Sequence, residues 1–370
     1  MRHHLHAHPE LSGNEHKTAQ WVQEKLLECK PTKLKTGIGG AGLYALWDSG
    51  KPGLHGAFRA ELDALPIDEV ADWDYASQTP GVSHKCGHDG HATLLLGLAR
   101  YIAANLPQSG KVSLLFQPAE ETGTGAQAML KDPQMQDYKP DYIFALHNVP
   151  GYPLHQIVLK PGAFTASVNS LILHCNGKTA HAAEPEKGVS PAGALAALIP
   201  WLQSLHHEYR KKDPLSTLAL VHIIMGEKTY GTSAGKASVH LTLRCTSNAL
   251  REQMEQEVID KAKQLCQEHK LDFNYEQTES FAATHNHSEA AQRVAKAAQA
   301  LELDLLEKEQ PFRWGEDFGL FTDAYKGCML GLGAGANHAP LHHPDYDFPD
   351  SLLPTGVSVF VTLYRDLCLT

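Results

Sequence analysis

Apolar positions in the first part of the chain alternate between short continuous runs and segments with helical spacing. Residues 15–27 place apolar side chains at helical intervals, and residues 92–104 (ATLLLGLARYIAA) form a mostly apolar segment typical of a buried helix. Residues 54–58, 112–116 (VSLLF) and 142–146 (YIFAL) are short apolar runs, as in buried parallel strands. This alternation predicts an α/β layer with a largely parallel sheet.

The pattern changes after about residue 162, where the predicted elements follow a different order. We expect a strand at 171–175 and a helix at 192–205, followed by strands at 218–225 and 238–244, a charged amphipathic helix at 250–269 and a strand at 272–277. The order strand, helix, strand, strand, helix, strand predicts a compact α+β sandwich.

Residues after 285 return to the first pattern, with a helix predicted at 289–301, a strand at 329–332 and a terminal helix after Pro354. The α+β region is therefore predicted to interrupt the α/β region. We expect residues 1–165 and 282–370 to form one domain with a mostly parallel sheet. Residues 166–281 are expected to form the inserted domain.

Composition and charge narrow the classes of function. The chain has 370 residues, of which 42% are hydrophobic and 20% charged, an ordinary mixture for a globular protein. Its 32 Lys and Arg residues against 42 Asp and Glu residues give a net charge of −10, without the cationic field that nucleic-acid binding needs. No stretch reaches the roughly 18 apolar residues that cross a bilayer. We therefore expect neither a nucleic-acid nor a membrane partner.

The cysteines and the first residues bear on the location of the protein. Seven cysteines are an odd number, and they are spread without the spacing of a disulfide framework. The starting sequence, MRHHLHAHPELSGNE, contains no apolar segment of the kind found in a signal peptide. These features favour a reduced, cytoplasmic protein.

Histidines are numerous, at 23, and a dense group stands just before the predicted helix at 92–104. In the sequence HKCGHDGH, Cys86 and His88 are separated by one glycine. Thiolate and imidazole are ligands that zinc-like ions prefer. The same segment could instead be a polar turn in which Asp89 caps the helix, or a cysteine nucleophile paired with a histidine base.

Adjacent carboxylates follow the predicted strand at 112–116. Glu120 and Glu121, in QPAEETG, would repel one another in a site of low dielectric, and a nearby cation would remove that penalty. One carboxylate could then bind metal while its neighbour acts as a base. The alternative is an ordinary helix start, where acidic side chains favour the helix dipole.

Side chains that can bind metal lie at the ends of three apolar runs, namely Asp63, the pair Glu120 and Glu121, and His147. Two more, Cys86 and His88, lie at the start of a predicted helix. Because the carboxyl ends of the strands in an open α/β sheet meet in one crevice, we expect these side chains to lie together. One cysteine, two or three histidines and a glutamate exceed the ligands of a single zinc ion. The set therefore predicts a two-metal site, which suits amide hydrolysis.

Several longer motifs resemble one enzyme family, in sequence and in order. They are LHAHPELS, FRAELDALPI, HKCGHDGHATLLLG, FQPAEETGTGA, ALHNVPG, GKTAHAAEPEKGVSP, WGEDFGLF and LHHPDYDFPDSLLPTG. The chain is similar, nearly end to end, to the amidohydrolase branch of the co-catalytic metallopeptidases, which includes hippurate hydrolases, N-acyl-amino-acid deacetylases and indole-acetyl-amino-acid hydrolases. The resemblance implies a zinc-peptidase-like α/β catalytic domain interrupted by an α+β, ferredoxin-like lid domain that joins two copies into a homodimer.

The resemblance also implies roles for individual residues. Matched by motif position, the metal ligands would be Cys86, His88, Glu121, His147 and His342. The last is chosen over His343 because it follows the leucine of the family pattern. Glu120 would be the general base, Asp63 would orient a ligand histidine, and His181, in TAHAAEP, would stabilise the oxyanion. The implied cofactors are two divalent metal ions, zinc or manganese.

The reaction implied by this resemblance is hydrolysis of the amide bond of N-acyl amino acids, either hippurate-like or N-acetyl-amino-acid-like. A metal-activated water would attack a small-molecule amide substrate with Glu120 as the base. A dipeptidase or carboxypeptidase with the same two-metal site is the alternative, and a non-catalytic metal-binding protein is a more distant one. A thiol hydrolase acting through Cys86 would instead keep its activity after chelation.

Two positions depart from the family pattern. Glu61 stands where many members carry Asp, although Asp63 is retained. The lid segment that reads like Asn-Val-Ile-Pro in relatives is replaced by EKTYGTS at residues 227–233. Because that segment faces the substrate in relatives, the resemblance implies no particular acyl group.

Overall fold

The computed structural model of the chain describes residues 1–369. Its α-helices are α1 (Arg2–Ala7), α2 (His16–Glu28), α3 (His88–Ala104), α4 (Gly125–Lys131), α5 (Ala192–Lys212), α6 (Asn248–Glu268), α7 (Ser288–Ala300), α8 (Gly319–Ala324) and α9 (Leu352–Cys368). None of the helices between residues 1 and 369 combines the length and the apolar character that crossing a bilayer requires.

The β-strands alternate with these helices along the chain. They are β1 (Lys33–Ile38), β2 (Gly42–Asp48), β3 (His55–Glu61), β4 (Lys111–Gln117), β5 (Tyr142–Val149), β6 (Ile157–Leu159), β7 (Gly162–Ala163), β8 (Ser167–Asn176), β9 (Ala180–His181), β10 (Thr217–Met225), β11 (Thr232–Ser233), β12 (Lys236–Cys245), β13 (Asp272–Phe281), β14 (His285–Asn286), β15 (Leu305–Glu307) and β16 (Lys326–Gly333).

The described residues form two compact units. Unit 1 comprises Met1–Phe164, Thr284–Pro311 and the residues from Glu316 onward. Unit 2 comprises Thr165–Ala283 and the short segment Phe312–Gly315. The insertion expected from the sequence, residues 166–281, lies within unit 2, and the segment 312–315 is an addition that the sequence pattern does not indicate.

Unit 1 is built on an eight-stranded sheet with the order β1-β2-β4-β3-β5-β16-β6-β15. Strand β3 pairs in parallel with β4 and with β5, β16 pairs in parallel with β5, and β15 pairs in parallel with β6. The pairs β1–β2, β2–β4 and β6–β16 are antiparallel. The prediction of an α/β fold with a mostly parallel sheet is therefore confirmed.

The central strands of this sheet are the apolar runs that the sequence marks as buried. Strands β3 and β5 are buried at every residue, and helices α3 and α9 pack against β3. The ring of Phe58 on β3 lies 5.7 Å from that of Phe144 on β5 and 5.2 Å from that of Phe360 on α9. Helix packing against the sheet explains why these strands read as continuous apolar runs rather than as alternating ones.

Helix α3 begins at His88, four residues before the predicted apolar segment. The preceding Gly87 has a φ of 93°, in the left-handed region that favours glycine. A Cβ atom at this position would lie 2.6 Å from Oδ1 of Asn148. The glycine between Cys86 and His88 is thus required both by the backbone conformation and by the space available.

Unit 2 contains a four-stranded antiparallel sheet with the order β10-β12-β8-β13. Helices α5 and α6 pack against it, so that the chain follows the βαββαβ order predicted from the sequence and has a ferredoxin-like arrangement. Alternate residues are buried: Leu171 and Leu173 on β8 stand opposite Leu241 and Val239 on β12. One face of the sheet therefore forms the core with the two helices.

Helix α5 continues through Pro200 to Lys212, beyond the predicted end at residue 205. Proline in a helix interior removes a backbone hydrogen bond and disfavours the helix. The residues that oppose this effect recur at helical spacing and are buried in the core of unit 2: Leu195, Leu198, Leu202, Leu205 and Tyr209. Burial of this apolar face outweighs the bond that Pro200 cannot donate.

Helix α1 is absent from the sequence predictions because two of its four buried residues are not apolar. Leu5 is buried, but so are the charged or titratable side chains of Arg2 and His6. Their burial depends on partners far away in the chain, and a search for apolar periodicity does not detect such partners.

Candidate metal centre

Side chains from several segments of unit 1 meet at the carboxyl ends of its central parallel strands. Asp63 follows β3, Glu120 and Glu121 follow β4, and His147 lies near the end of β5. Helix α3 opens with His88 close to Asp63. Because β3, β4 and β5 are adjacent and parallel, their ends bring these residues to one edge of the sheet.

Cys86, His88 and His147 form a first group of metal-binding side chains. Their candidate ligand atoms lie within 4.8 Å of one another, and Sγ of Cys86 is 3.5 Å from Nε2 of His147. His88 donates from Nδ1 to the backbone oxygen of Asp63 at 2.9 Å, and His147 donates from Nδ1 to that of Asn148 at 2.8 Å. These bonds leave Nε2 as the basic nitrogen of each neutral ring.

Cys86, Glu121 and His342 form a second group, with ligand atoms again within 4.8 Å of one another. Oε2 of Glu121 is 3.6 Å from Nε2 of His342, whose side chain is 51% exposed. The backbone N–H of His342 donates to the carbonyl oxygen of Lys85 at 2.8 Å. The second group is therefore less enclosed than the first, and it depends on a residue from the last part of the chain.

The side chains of these two groups fit a pair of divalent ions. Cys86 belongs to both groups. Among the described residues, the buried atoms Nε2 of His88 and Oε1 of Glu121 have no hydrogen-bond partner. Burying such atoms unpaired costs free energy, and a cation would remove that cost. A thiolate, three imidazoles and a carboxylate are ligands that suit zinc and manganese.

The electrostatics of the pocket also favour a cation. Burial raises the pKa of Glu121 to about 7, although the neighbouring His88 acts in the opposite direction. Burial and then the charges of Glu121 and Glu120 raise the pKa of the Cys86 thiol well above its usual value. A divalent cation would lower these pKa values, because it stabilises thiolate and carboxylate.

Asp63 connects a ligand of the first group with a ligand of the second. Its carboxylate accepts hydrogen bonds from Nδ1 of His88 at 3.2 Å, from the hydroxyl of Ser12 at 2.7 Å and from the backbone N–H of Glu121 at 2.9 Å. Burial acts to raise the pKa of Asp63, but these bonds outweigh it and hold the pKa below its usual value. Asp63 therefore orients one ligand ring and fixes the backbone of another ligand.

Glu120 is buried beside both groups, and its carboxylate also lies within 4.8 Å of the ligand atoms of His88 and Glu121. Its Oε2 atom is 3.8 Å from Nε2 of His88. Burial, followed by the charges of Glu316 and Glu121, raises the pKa of Glu120 well above its usual value. The backbone before it is held by Glu15, whose carboxylate accepts from the N–H of Ala119 at 2.8 Å. Glu120 is thus a fixed, easily protonated carboxyl group.

Arg59, which the sequence reasoning overlooked, offsets the negative charges behind Glu120. This fully buried guanidinium contacts Glu61 and donates to Glu316 at 2.8 Å and to Asp317 at 2.9 Å. The signal was present in the motifs FRAELDALPI and WGEDFGLF, since a charged residue inside a buried strand needs a buried partner.

His91 is a second residue that the sequence reasoning missed, although it belongs to the HKCGHDGH motif. Its Nδ1 atom lies 2.8 Å from Oε2 of Glu61, and its other nitrogen contacts the side chain of Asn148. Glu61, the departure from the family pattern, thus places one oxygen on Arg59 and the other on His91. The departure is accommodated inside a buried network.

His181 belongs to unit 2, where it lies on β9 and is exposed. Its Nδ1 atom accepts a hydrogen bond from the backbone N–H of Ala183 at 3.0 Å, so the neutral ring carries its proton on Nε2. Strand β9 pairs with β11, with His181 opposite Thr232. The segment 227–233, which departs from the family pattern, is therefore the neighbour of His181.

Comparison with known proteins adds independent information on this chain. The sequence profile of Peptidase family M20/M25/M40 matches residues 57–366. Hippurate hydrolase of Campylobacter jejuni is 31% identical over 98% of this chain and 94% of the relative. N-acetyl-L-cysteine deacetylase of Bacillus subtilis is 32% identical over 95% of this chain and 84% of the relative.

Among solved structures, the YXEP protein of Bacillus subtilis, described as a dinuclear metal binding peptidase from the M20 family, is similar to this chain. It superposes with a TM-score of 0.81 at 25% identity, over 98% of this chain and 95% of that one. The resemblance seen in the motifs therefore extends over nearly the whole length of both chains.

Proposed function

The chain belongs to Peptidase family M20/M25/M40 and is a hydrolase of amide bonds, and from this premise we propose that it cleaves N-acyl amino acids at a two-metal centre. The observation that carries the proposal is the sharing of Cys86 between two ligand groups beside the buried Glu120. The relatives named hippurate hydrolase and N-acetyl-L-cysteine deacetylase support an N-acylated amino acid as the substrate class.

We assign one ion to Cys86, His88 and His147 and the other to Cys86, Glu121 and His342. The thiolate suits zinc, while the imidazoles and the carboxylate also suit manganese. When bound, such ions polarise a substrate carbonyl and lower the pKa of water.

Glu120 acts as the general base in this proposal. It accepts a proton from the attacking water on a carboxylate oxygen and passes it to the nitrogen of the leaving amine, so that the products are a carboxylate and a free amine. Its position beside the two assigned ligand groups, 3.8 Å from Nε2 of His88, supports this role. His181, with its proton on Nε2, donates to the carbonyl oxygen as negative charge develops there.

The experiment that tests this proposal is amino-acid release from a panel of N-acetyl, N-benzoyl and indole-acetyl amino acids together with simple dipeptides. The protein would be stripped with a chelator and then resupplied with manganese or zinc. We expect turnover of acyl amino acids to disappear on stripping and to return with metal.

Other outcomes would replace the proposal with a specific alternative. Turnover of dipeptides alone would make the protein a dipeptidase. Activity that survives chelation but is lost on thiol alkylation would point to Cys86 as a nucleophile. A folded protein that binds two ions and turns over no compound in the panel would support a non-catalytic metal-binding role.

We also propose that two copies form a homodimer through unit 2. Strand β10 lies at the edge of the four-stranded sheet, and four apolar side chains on it are 42–64% exposed: Leu220, Val221, Ile224 and Met225. An exposed apolar edge strand is a template for pairing, and a second copy of the same strand satisfies it symmetrically. Light scattering should give a dimer for the wild type and a folded monomer for Val221→Asp, whereas a monomeric wild type would exclude this interface.

We propose that the protein is cytoplasmic, because its cysteines are present as free thiols. All seven are buried, and no disulfide joins them within residues 1–369. Thiols persist in reducing compartments. Fractionation of the source cells with an antibody against the protein tests this location directly.

A further inference from the structure

Helix α1 carries a cluster of ion pairs that connects two segments of the metal centre. We call this cluster the N-terminal clamp. It consists of two residues of α1 and the carboxylates that they bind: Arg2, His6, Glu69, Asp89, Asp347 and Asp350. All of these residues belong to unit 1.

Arg2 is the centre of the clamp. Its side chain is only 2% exposed, and Nη1 lies 3.1 Å from Oδ2 of Asp89 and 2.8 Å from Oδ1 of Asp347. Its Nε atom binds Asp350. The guanidinium carbon lies 4.8 Å from the centre of the Tyr75 ring, whose hydroxyl donates to Asp347 at 2.8 Å. One cation is therefore enclosed by three carboxylates and an aromatic ring.

One end of the clamp holds the start of α3. Asp89 directly follows the candidate ligand His88, and its carboxylate is fully buried. The same Oδ2 atom that binds Arg2 also accepts from Nδ1 of His6 at 2.8 Å. Removal of either partner would leave a buried carboxylate less well paired, which is costly.

The other end of the clamp holds the segment that follows His342. Asp347 and Asp350 lie in the stretch between β16 and α9, which has no helix or strand to hold His342 in place. A parallel connection runs from Lys85, whose ammonium binds Glu69 and donates to the backbone oxygen of Tyr346 at 2.8 Å. These side-chain contacts therefore add to the backbone bond from His342 to Lys85 in ordering a segment that has no helix or strand.

The two ligand groups differ in how much they depend on such contacts. His88 and His147 are held by α3 and β5 and by hydrogen bonds from their own Nδ1 atoms. The second group needs Cys86 and His342 to lie at a fixed separation, although they come from two segments that α1 bridges.

We propose that the N-terminal clamp positions His342 relative to Cys86 and thereby sets the affinity for the ion assigned to Cys86, Glu121 and His342. The ion assigned to Cys86, His88 and His147 depends on it much less. Arg2 is a positioning residue in this scheme, because it acts through Asp89 and Asp347 and not on substrate. The inference rests on the proposed metal centre.

The experiment measures both metal affinities in the full-length protein. Chelator-stripped wild type and Arg2→Ala are titrated with Zn²⁺ in the presence of a chromophoric competing chelator. We expect Arg2→Ala to lower the affinity for one of the two ions about tenfold or more, which is the range seen when supporting partners of metal ligands are removed. The affinity for the other ion should fall by less than about threefold. At saturating Zn²⁺ the variant should recover most of its kcat, which a merely misfolded protein would not do.

Matched variants separate positioning from general damage to the helix. Arg2→Lys keeps the charge but cannot span several carboxylates, so it should give an intermediate loss. His4→Ala changes an exposed residue of the same helix that stacks on Trp21, and it should leave both affinities unchanged. Asp347→Asn should lower the affinity for the same ion as Arg2→Ala does. The double variant should bind that ion only slightly less tightly than Arg2→Ala alone, because the two residues share one network.

The possible outcomes distinguish this inference from the proposed function. If the wild type binds two ions and Arg2→Ala binds both with unchanged affinity, or loses affinity for both equally, the proposed role of the clamp is wrong, but the proposed metal centre is not contradicted. If the wild type binds fewer than two ions, both the metal centre and the clamp are wrong. A selective loss that Arg2→Lys partly restores supports the clamp.

Discussion

Units 1 and 2 differ most in the side chains that they bury. The core of unit 2, between its sheet and helices α5 and α6, is almost entirely apolar, and its buried charged residues are Asp213, Arg251 and Glu255. Unit 1 buries many more charged side chains: Arg2, Glu15, Arg59, Glu61, Asp63, Lys85, Asp89, Glu120, Glu316 and Asp317. It also buries six histidines: His6, His55, His84, His88, His91 and His147.

This difference distinguishes the apolar residues that stabilise a domain from the charged residues that serve its chemistry. Burying a charge costs free energy even when it is paired, and replacing such pairs by apolar residues is often neutral or stabilising. Unit 2 forms a compact core with few of these groups. The charges of unit 1 are therefore best explained by the site that they surround, and substitutions in the two units should produce different kinds of loss.

The largest effect is expected for Glu120→Gln in unit 1. Loss of the general base should lower kcat by about 10³- to 10⁴-fold, while both ions remain bound. The free energy of unfolding should not fall, because the variant removes a carboxylate from among other buried carboxylates. Steady-state kinetics combined with metal analysis checks this prediction, and near-normal turnover would show that Glu120 is not the base.

A smaller loss of activity, with no change in stability, is expected for His181→Ala in unit 2. Removing a donor to the developing oxyanion should lower kcat by about 10²- to 10³-fold. Metal content and melting temperature should stay constant, since His181 is exposed. His174→Ala, which changes another histidine of the same unit, is the control and should retain full kcat. Equal losses in the two variants would assign the effect to the fold of unit 2.

The reverse result, lost stability with intact metal binding, is expected for Leu241→Ala in the core of unit 2. Leu241 is buried opposite Leu171 on the neighbouring strand. Truncating a buried leucine to alanine costs about 3 kcal/mol of unfolding free energy. Urea unfolding measures this loss, and Leu106→Ala, at an exposed leucine, should cost much less. Weakened binding of either ion would show that the effect of this substitution is not confined to stability.

A pH-dependent loss of stability is expected from His55, on β3 of unit 1. Burial, followed by the charge of Lys111, lowers the pKa of His55 to about 4 from its ordinary value near 6.5. As the pH falls below 6.5 the unfolded chain gains a proton at this position and the folded chain does not, so stability decreases until about pH 4. Above pH 7 His55 contributes no pH dependence.

The size of this effect follows from the two pKa values. At about 1.36 kcal/mol per pKa unit, the free energy of unfolding should be about 2 kcal/mol lower at pH 5 than at pH 8 because of His55 alone. Urea unfolding of the metal-free wild type and of His55→Gln over this range isolates the contribution as the difference between their slopes. Parallel slopes would show that the buried ring titrates normally.

The parts of the site that follow from strand topology could be predicted from the sequence. Asp63 and His147 stand at the ends of apolar runs, and a parallel sheet must bring such ends to one edge, where the structure places them beside His88. His342 carries no such signal, because it lies in a stretch without helix or strand. Only the motif resemblance singles it out among neighbouring polar residues.

The parts that could not be predicted depend on pairing between residues far apart in the chain. Arg2 pairs with Asp350, which is 348 positions away in the sequence, and Arg59 pairs with Asp317, which is 258 positions away. A local pattern shows each of these residues as a charge without a partner, and charges without partners are expected at the surface. In unit 2, by contrast, the alternation along β8 and β12 is local, and the predicted strands overlap the observed ones, although helix α5 continues through Pro200 beyond its predicted end.

Strand β16 lies between β5 and β6 in the finished sheet but leaves the ribosome long after both of them. About 170 residues separate the end of β6 from the end of β16, which at roughly 5–20 residues per second takes on the order of 10 to 30 s of translation. Until β16 is made, β5 and β6 both lack it as a partner, and the βαββαβ part of unit 2, which ends with β13, is synthesised within the same interval. The inserted unit therefore lengthens the period in which the growing polypeptide is open to wrong strand pairing.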